Sequence, residues 1–154
     1  MKKYITPALW ILAFQIIGGG IGFITNSDMS WYDGLEKSAL TPPGFVFGIV
    51  WPILYVMLAL AGWMMWCDRK AEGAQTPHNL FWMQMFLNWG WSFVFFQFQL
   101  IEIGLFWILA LIIAMVAFVT QAWANFRMAA LLVVPTVLWA CFAAYLNYAI
   151  WVLN

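Results

Sequence analysis

Gln84, Asn88 and Ser92 recur every four residues, so on a helix they form a single polar stripe. Around them crowd Trp82, Phe86, Trp89, Trp91, Phe93, Phe95, Phe96 and Phe98. Uncharged amides among large rings are poor agents of acid–base chemistry. They suit a site in which rings stack on a flat apolar guest and a few polar groups orient it. The same stripe could instead serve hydrogen bonds between helices, worth about 0.5–2 kcal/mol per contact. Bulky rings hold backbones apart, which favours a cavity. Two further segments carry similar chemistry: Gly48, Trp51, Tyr55 and Gly62 fall near one face, and Thr136, Trp139, Ala143 and Asn147 near another. Ala143 beside Trp139 leaves room for a planar guest or for close packing.

Other chemistries lack their agents. The only His, His78, follows Pro77 and reads as a solvated loop residue. Cys67 and Cys141 are isolated, with no metal-ligand spacing, so no metal site is expected. No serine or cysteine has a base nearby in sequence, which argues against a hydrolase. The formal net charge is zero, which gives no attraction for nucleic acid.

These residues must be held by elements suited to lipid. Of 154 residues 66% are hydrophobic and only 8% charged, too apolar for a soluble domain of this size to bury. The twelve charges leave five free stretches, at 4–27, 38–67, 73–101, 103–126 and 128–154. Each has room for one helical crossing of about 20 residues and none for two. The fold expected is therefore all-α, a single domain forming an integral membrane bundle of five transmembrane helices at about 5–25, 44–66, 79–98, 103–124 and 129–152. No expected span holds a charge, so coupled pumps and voltage sensors are poor readings. The first stretch is read as a retained helix, since its apolar run exceeds a signal h-region and no A-x-A pattern follows. Lys2, Lys3, Arg69, Lys70 and Arg127 would share one side, with Lys37 alone on the other. The positive-inside rule then puts the N-terminus in the cytoplasm.

The loop 26–43 joins aromatics to charge, and Trp31 and Leu35 would share a face of a short helix closing the bundle mouth as a lid. Pro42-Pro43 sets the entry to the second helix, and Pro52 within it predicts a kink. Gly18 and Gly22 form a G-x-x-x-G, which serves either packing within the chain or a homodimer seam. Trp63, Trp66, Trp82, Trp107, Trp123 and Trp151 fit an interfacial belt. Trp51, Trp89, Trp91 and Trp139 lie deeper and are candidate walls of a site.

At these residues the chain resembles the translocator protein family, or tryptophan-rich sensory proteins (TspO/MBR, peripheral benzodiazepine receptor). The matching pieces are Trp31-Tyr32…Leu35…Lys37…Pro42-Pro43, Trp51…Tyr55, Gln84…Leu87-Asn88-Trp89…Trp91…Phe95-Phe96 and Pro135…Trp139…Ala143…Leu146-Asn147. They span almost the whole chain. The resemblance implies a five-helix bundle, commonly dimeric through the first or third helix. It implies a pocket for porphyrins such as protoporphyrin IX and for benzodiazepine-type ligands, with no required cofactor. Carried over by motif, Trp31, Tyr32 and Pro42 would roof the pocket. Trp51 and Tyr55 would line one wall, Asn88, Trp91 and Phe95 a second, and Trp139, Ala143 and Leu146 a third. Light-dependent porphyrin degradation in some bacterial members would here involve Trp31 and Trp51. Ser38 and Thr136 stand where the family often has proline and tyrosine. No basic residue follows Tyr145 or Tyr148, which weakens sterol recognition.

The leading expectation is a membrane receptor or sensor with a porphyrin-type ligand. The alternatives are a light- and oxygen-dependent porphyrin-degrading enzyme and a facilitator of tetrapyrrole or lipophile transport.

Overall fold

Backbone groups cannot stay unpaired in hydrocarbon, and this chain pairs them within helices. The computed structural model describes residues 2–26 and 29–154, with side chains from Thr6 onward. The elements are α1 (Lys2–Thr25), a single turn α2 (Ser30–Asp33), α3 (Gly44–Cys67), α4 (Gln75–Ser92), α5 (Ile101–Ala122) and α6 (Arg127–Leu153). A π-helical turn, Phe93–Gln97, continues α4. The side chains of Lys2 and Lys3, used above for orientation, lie outside the described residues.

Four of the five expected spans match α1, α3, α5 and α6 within a few residues. The third starts earlier than expected, at Gln75 instead of 79. Pro77 sits in the first turn, where its missing N–H breaks no helical bond, so it does not delay the helix. His78 is therefore helical and half-buried between Trp66 and Trp82, at 6.2 and 6.4 Å between ring centroids, and not a solvated loop residue. At the other end the α-helix gives way to the π turn at Phe93, and Gln99 adopts φ 58° to end the segment.

Among the described residues, four helices are long and apolar enough to cross a membrane: Thr6–Thr25 within α1, then α3, α5 and α6. The polar residues Gln75, Thr76, His78, Asn79, Gln84, Asn88 and Ser92 dilute α4 below that level. The expected count of five rests on length alone for α4.

The principal neighbours are α5 with α6, α4 with α5, α1 with α3 and α3 with α6. One half of the bundle is solid. Leu58, Ala59, Ala61 and Met65 of α3 are buried there with Phe81, Met85, Met115, Phe118, Ala130 and Val133. Glycine brings the helices together: a Cβ on Gly62 would lie 2.9 Å from both Phe81 and Trp10, and one on Gly90 2.7 Å from Trp107. Toward the end where α1, α2 and α3 are joined, larger rings replace these small residues and the helices enclose space.

Candidate functional site: a ring-walled cavity beneath the first loop

A cavity of about 700 Å³ opens in that half, within the usual range for small-molecule sites. Ten of the eleven residues named from sequence line it: Tyr32, Pro42, Trp51, Tyr55, Asn88, Trp91, Phe95, Trp139, Ala143 and Leu146. The eleventh, Trp31, is set behind the wall, packed edge-on against Phe95 at 5.9 Å. Trp31 therefore belongs to the roof segment without lining the cavity itself. A four-residue α2 turns Tyr32 toward the interior and Trp31 onto the α4 extension.

Each wall is fixed by local bonds. Trp91 donates its indole N–H to the Gly104 carbonyl at 3.2 Å and stacks on Phe95, 5.2 Å and 15° apart. That stack joins residues four apart where α4 passes into the π turn. Phe95 in turn meets Phe96 and Tyr32 edge-on. On α3, Trp51 stacks on Tyr55 at 5.7 Å. The Tyr55 hydroxyl donates to Asn88 Oδ1 at 3.0 Å, which turns the Asn88 amide N–H₂ away from Tyr55. Gly18 of α1 permits this, because a Cβ there would meet the Tyr55 ring at 2.5 Å. So Gly18 of the G-x-x-x-G packs within the chain, while Gly22 lines the cavity with nothing within 4 Å of its Cβ position.

The polar inventory is sparse. Among the described residues, Asn88 Nδ2, Trp139 Nε1, Asn147 Oδ1 and Thr41 Oγ1 are buried without a hydrogen-bond partner, and all four residues line the cavity. Asn147 uses its other amide atom to donate to the Ile101 carbonyl at 2.9 Å. Buried polar atoms are ordinarily paired, so such a group beside a cavity marks a place for a ligand atom or water. Lys37 stands at the rim over the Tyr32 ring, donating to the carbonyls of Asp33 and Leu35.

The segment from Met29 to Pro43 is tied down as well. Asn154 accepts from the Glu36 N–H at 2.9 Å and donates to the Glu36 carbonyl at 3.0 Å. Ser38 Oγ lies 3.0 Å from the Tyr145 hydroxyl.

Some sequence candidates fall elsewhere. Trp89 turns toward Phe14 of α1 at 5.6 Å and does not line the cavity. Gln84 is fully buried in the solid half, with both amide atoms unpartnered among the described residues. Conversely Phe47, Phe96, Asn147, Lys37 and Thr41 line the cavity without having been named as site residues. Two had visible signals: Phe47 lies one turn before Trp51, and Asn147 one turn after Ala143.

Comparisons with known proteins place the chain among its relatives. The profile of the TspO/MBR family matches residues 10–152. A Tryptophan-rich protein TspO of Archaeoglobus fulgidus is 35% identical over 145 residues, covering 94% of each chain. One from Chlorobaculum tepidum is 34% identical, covering 99% of this chain and 98% of its own. The Translocator protein of Homo sapiens is 31% identical, covering 94% of this chain and 88% of its own. With a family match over nearly its whole length and relatives above 30% identity, the chain belongs to the TspO/MBR family.

Proposed function

We propose that this protein is a membrane receptor or sensor that binds a porphyrin-type aromatic ligand in the cavity. The observation that carries the reading is the pairing of rings with unused donors. Trp51, Trp91, Phe95 and Trp139 offer faces and edges to a flat guest, while Asn88 Nδ2 and Trp139 Nε1 are free to meet its acceptor atoms. In this reading α4 is a fifth crossing. With its π turn it runs from Gln75 to Gln97, about 34 Å at 1.5 Å per residue, and its polar stripe faces helices and cavity instead of lipid. The basic residues put the N-terminus in the cytoplasm. The chain is expected to pair as a homodimer.

Titration with protoporphyrin IX in lipid nanodiscs, followed by tryptophan fluorescence, tests the reading. Saturable quenching is expected. Replacing Trp51 and Trp139 together by Phe removes two indoles and one free donor, and should weaken binding by about tenfold or more, at about 1 kcal/mol per lost contact. Absent saturation, or an unaltered curve in the double variant, would defeat it.

A second reading has one observation in its favour: an oxidisable indole, Trp51, stands in the cavity wall stacked on Tyr55. Light-dependent degradation of bound porphyrin would then require Trp51, with Trp31 acting only from behind Phe95. Illuminated Trp51→Phe protein should spare the pigment if that reading is right.

A further inference from the structure

The cavity has a roof and a side, and the two are built differently. The roof, residues 29–43, is fastened to α6 at two places, Glu36 to Asn154 and Ser38 to Tyr145. Trp31 and Tyr32 also hold it onto Phe95 and Phe96 by edge-on ring contacts. Among the described residues, the side between α1 and α3 has no such closure. The two helices are joined where Gln15 Nε2 donates to the Pro52 carbonyl at 2.7 Å and where Gly18 accommodates Tyr55. From there toward the roof, the facing residues are Gly19 and Gly22 on α1 and Gly44 and Gly48 on α3. All four line the cavity, and a Cβ built on any of them meets nothing within 4 Å. Helices in contact along this stretch would put a neighbour there. Gly19, Gly44, Gly48 and Pro52 are also exposed while lining the interior.

We infer that this glycine-edged slit is the entrance to the cavity, and that it admits flat apolar ligands already dissolved in the bilayer. From Gly44 to Pro52 the slit is about 12 Å long at 1.5 Å per residue, reaching from the helix ends into the hydrocarbon. Side chains at these positions would narrow it, and glycine leaves its edges bare. Inside, Asn88 and Asn147 are 3% and 1% exposed, and each keeps a polar atom without a partner among the described residues. A ligand that sheds water on entering lipid would regain hydrogen bonds at such atoms, Trp139 Nε1 and Thr41 Oγ1 included. The inference rests on the cavity being the ligand site and adds the route and the phase from which the ligand arrives.

The test is kinetic. Protein in phosphatidylcholine nanodiscs is mixed with protoporphyrin IX, and tryptophan quenching is followed in time for the wild type, Gly22→Leu, Gly48→Leu and the double variant Ser38→Ala with Asn154→Ala. A side entrance predicts that each leucine slows association and dissociation together, by tenfold or more, because both directions pass the same constriction. Releasing the roof should leave both rates as they are. Leucines that speed dissociation merely occupy binding volume, and leucines that change neither rate do not stand in the path; either result overturns the inference. So does faster association in the roof variant. If the wild type shows no saturable quenching at all, the ligand site itself is refuted, and the entrance with it.

Discussion

At the scale of single residues, the site turns on how one hydrogen bond aims another group. Tyr55 donates to Asn88 Oδ1 and leaves the N–H₂ of this wall residue buried without a partner among the described residues. Tyr55→Phe should cost about 0.5–1.5 kcal/mol of stability, visible as a lower thermal midpoint, and should weaken porphyrin binding several-fold because the amide is no longer aimed. Tyr32, in the loop, is held above the usual phenol range near 10, first by burial and then by the charge of Asp33. The folded state thus keeps a proton that the unfolded chain releases. Stability from this group is full below about pH 10 and is lost as pH rises through the elevated value. Alkaline titration of phenolate absorbance should show one late-ionising tyrosine fewer in Tyr32→Phe, with a shallower fall in stability above pH 10. Tyr32, Pro42, Trp91, Phe95 and Leu146 line the cavity as the family resemblance implied, whereas Trp51, Tyr55, Asn88, Trp139 and Ala143 could be placed on shared faces from helical spacing. Trp31 could not, because its direction depends on a single turn of helix and on the ring it meets.

At the scale of elements, glycine has two opposite uses. Gly62 lies under Phe81 and Trp10 in the solid half, whereas Gly19 faces open space. Gly62→Val should therefore overpack the α1–α3–α4 contact and cost about 1–3 kcal/mol. Gly19→Ala should be neutral or stabilising by about 0.5–1 kcal/mol. Thermal unfolding of the two purified variants, read side by side, checks the contrast. In sequence these glycines look alike, since residue type says nothing about what another helix places opposite. The π turn after Ser92 was equally hidden. It depends on how Phe95 and Phe96 pack against Trp91 and Tyr32, not on the propensity of Phe93–Gln97.

At the scale of the whole molecule, the bundle is solid at one end and hollow at the other. Short residues and fitted rings close the half around Phe81 and Phe118, and indoles wedge the other half open. Topology can be read from a single cysteine, Cys67. Cys67, exposed at the end of α3 beside Asp68 and Arg69, should react with a membrane-impermeant maleimide from the cytoplasmic face only, once Cys141 is replaced by Ser. Labelling of right-side-out vesicles would reverse the orientation drawn from the basic residues.

The amino-acid order alone fixed the solvent, the helical class and, within a few residues, the bounds of α1, α3, α5 and α6, because charge placement and hydrophobic run length are one-dimensional quantities set against a bilayer of given thickness. It also ranked the faces of those rods, because the helical repeat is constant. Only the tertiary structure decided that Trp89 and Gln84 turn away from the cavity, that Gly18 receives Tyr55, and that Gly19, Gly22, Gly44 and Gly48 beyond it face no neighbour. Those outcomes depend on which surfaces meet across distances in sequence, and a shared face on one helix cannot say what will lie opposite it.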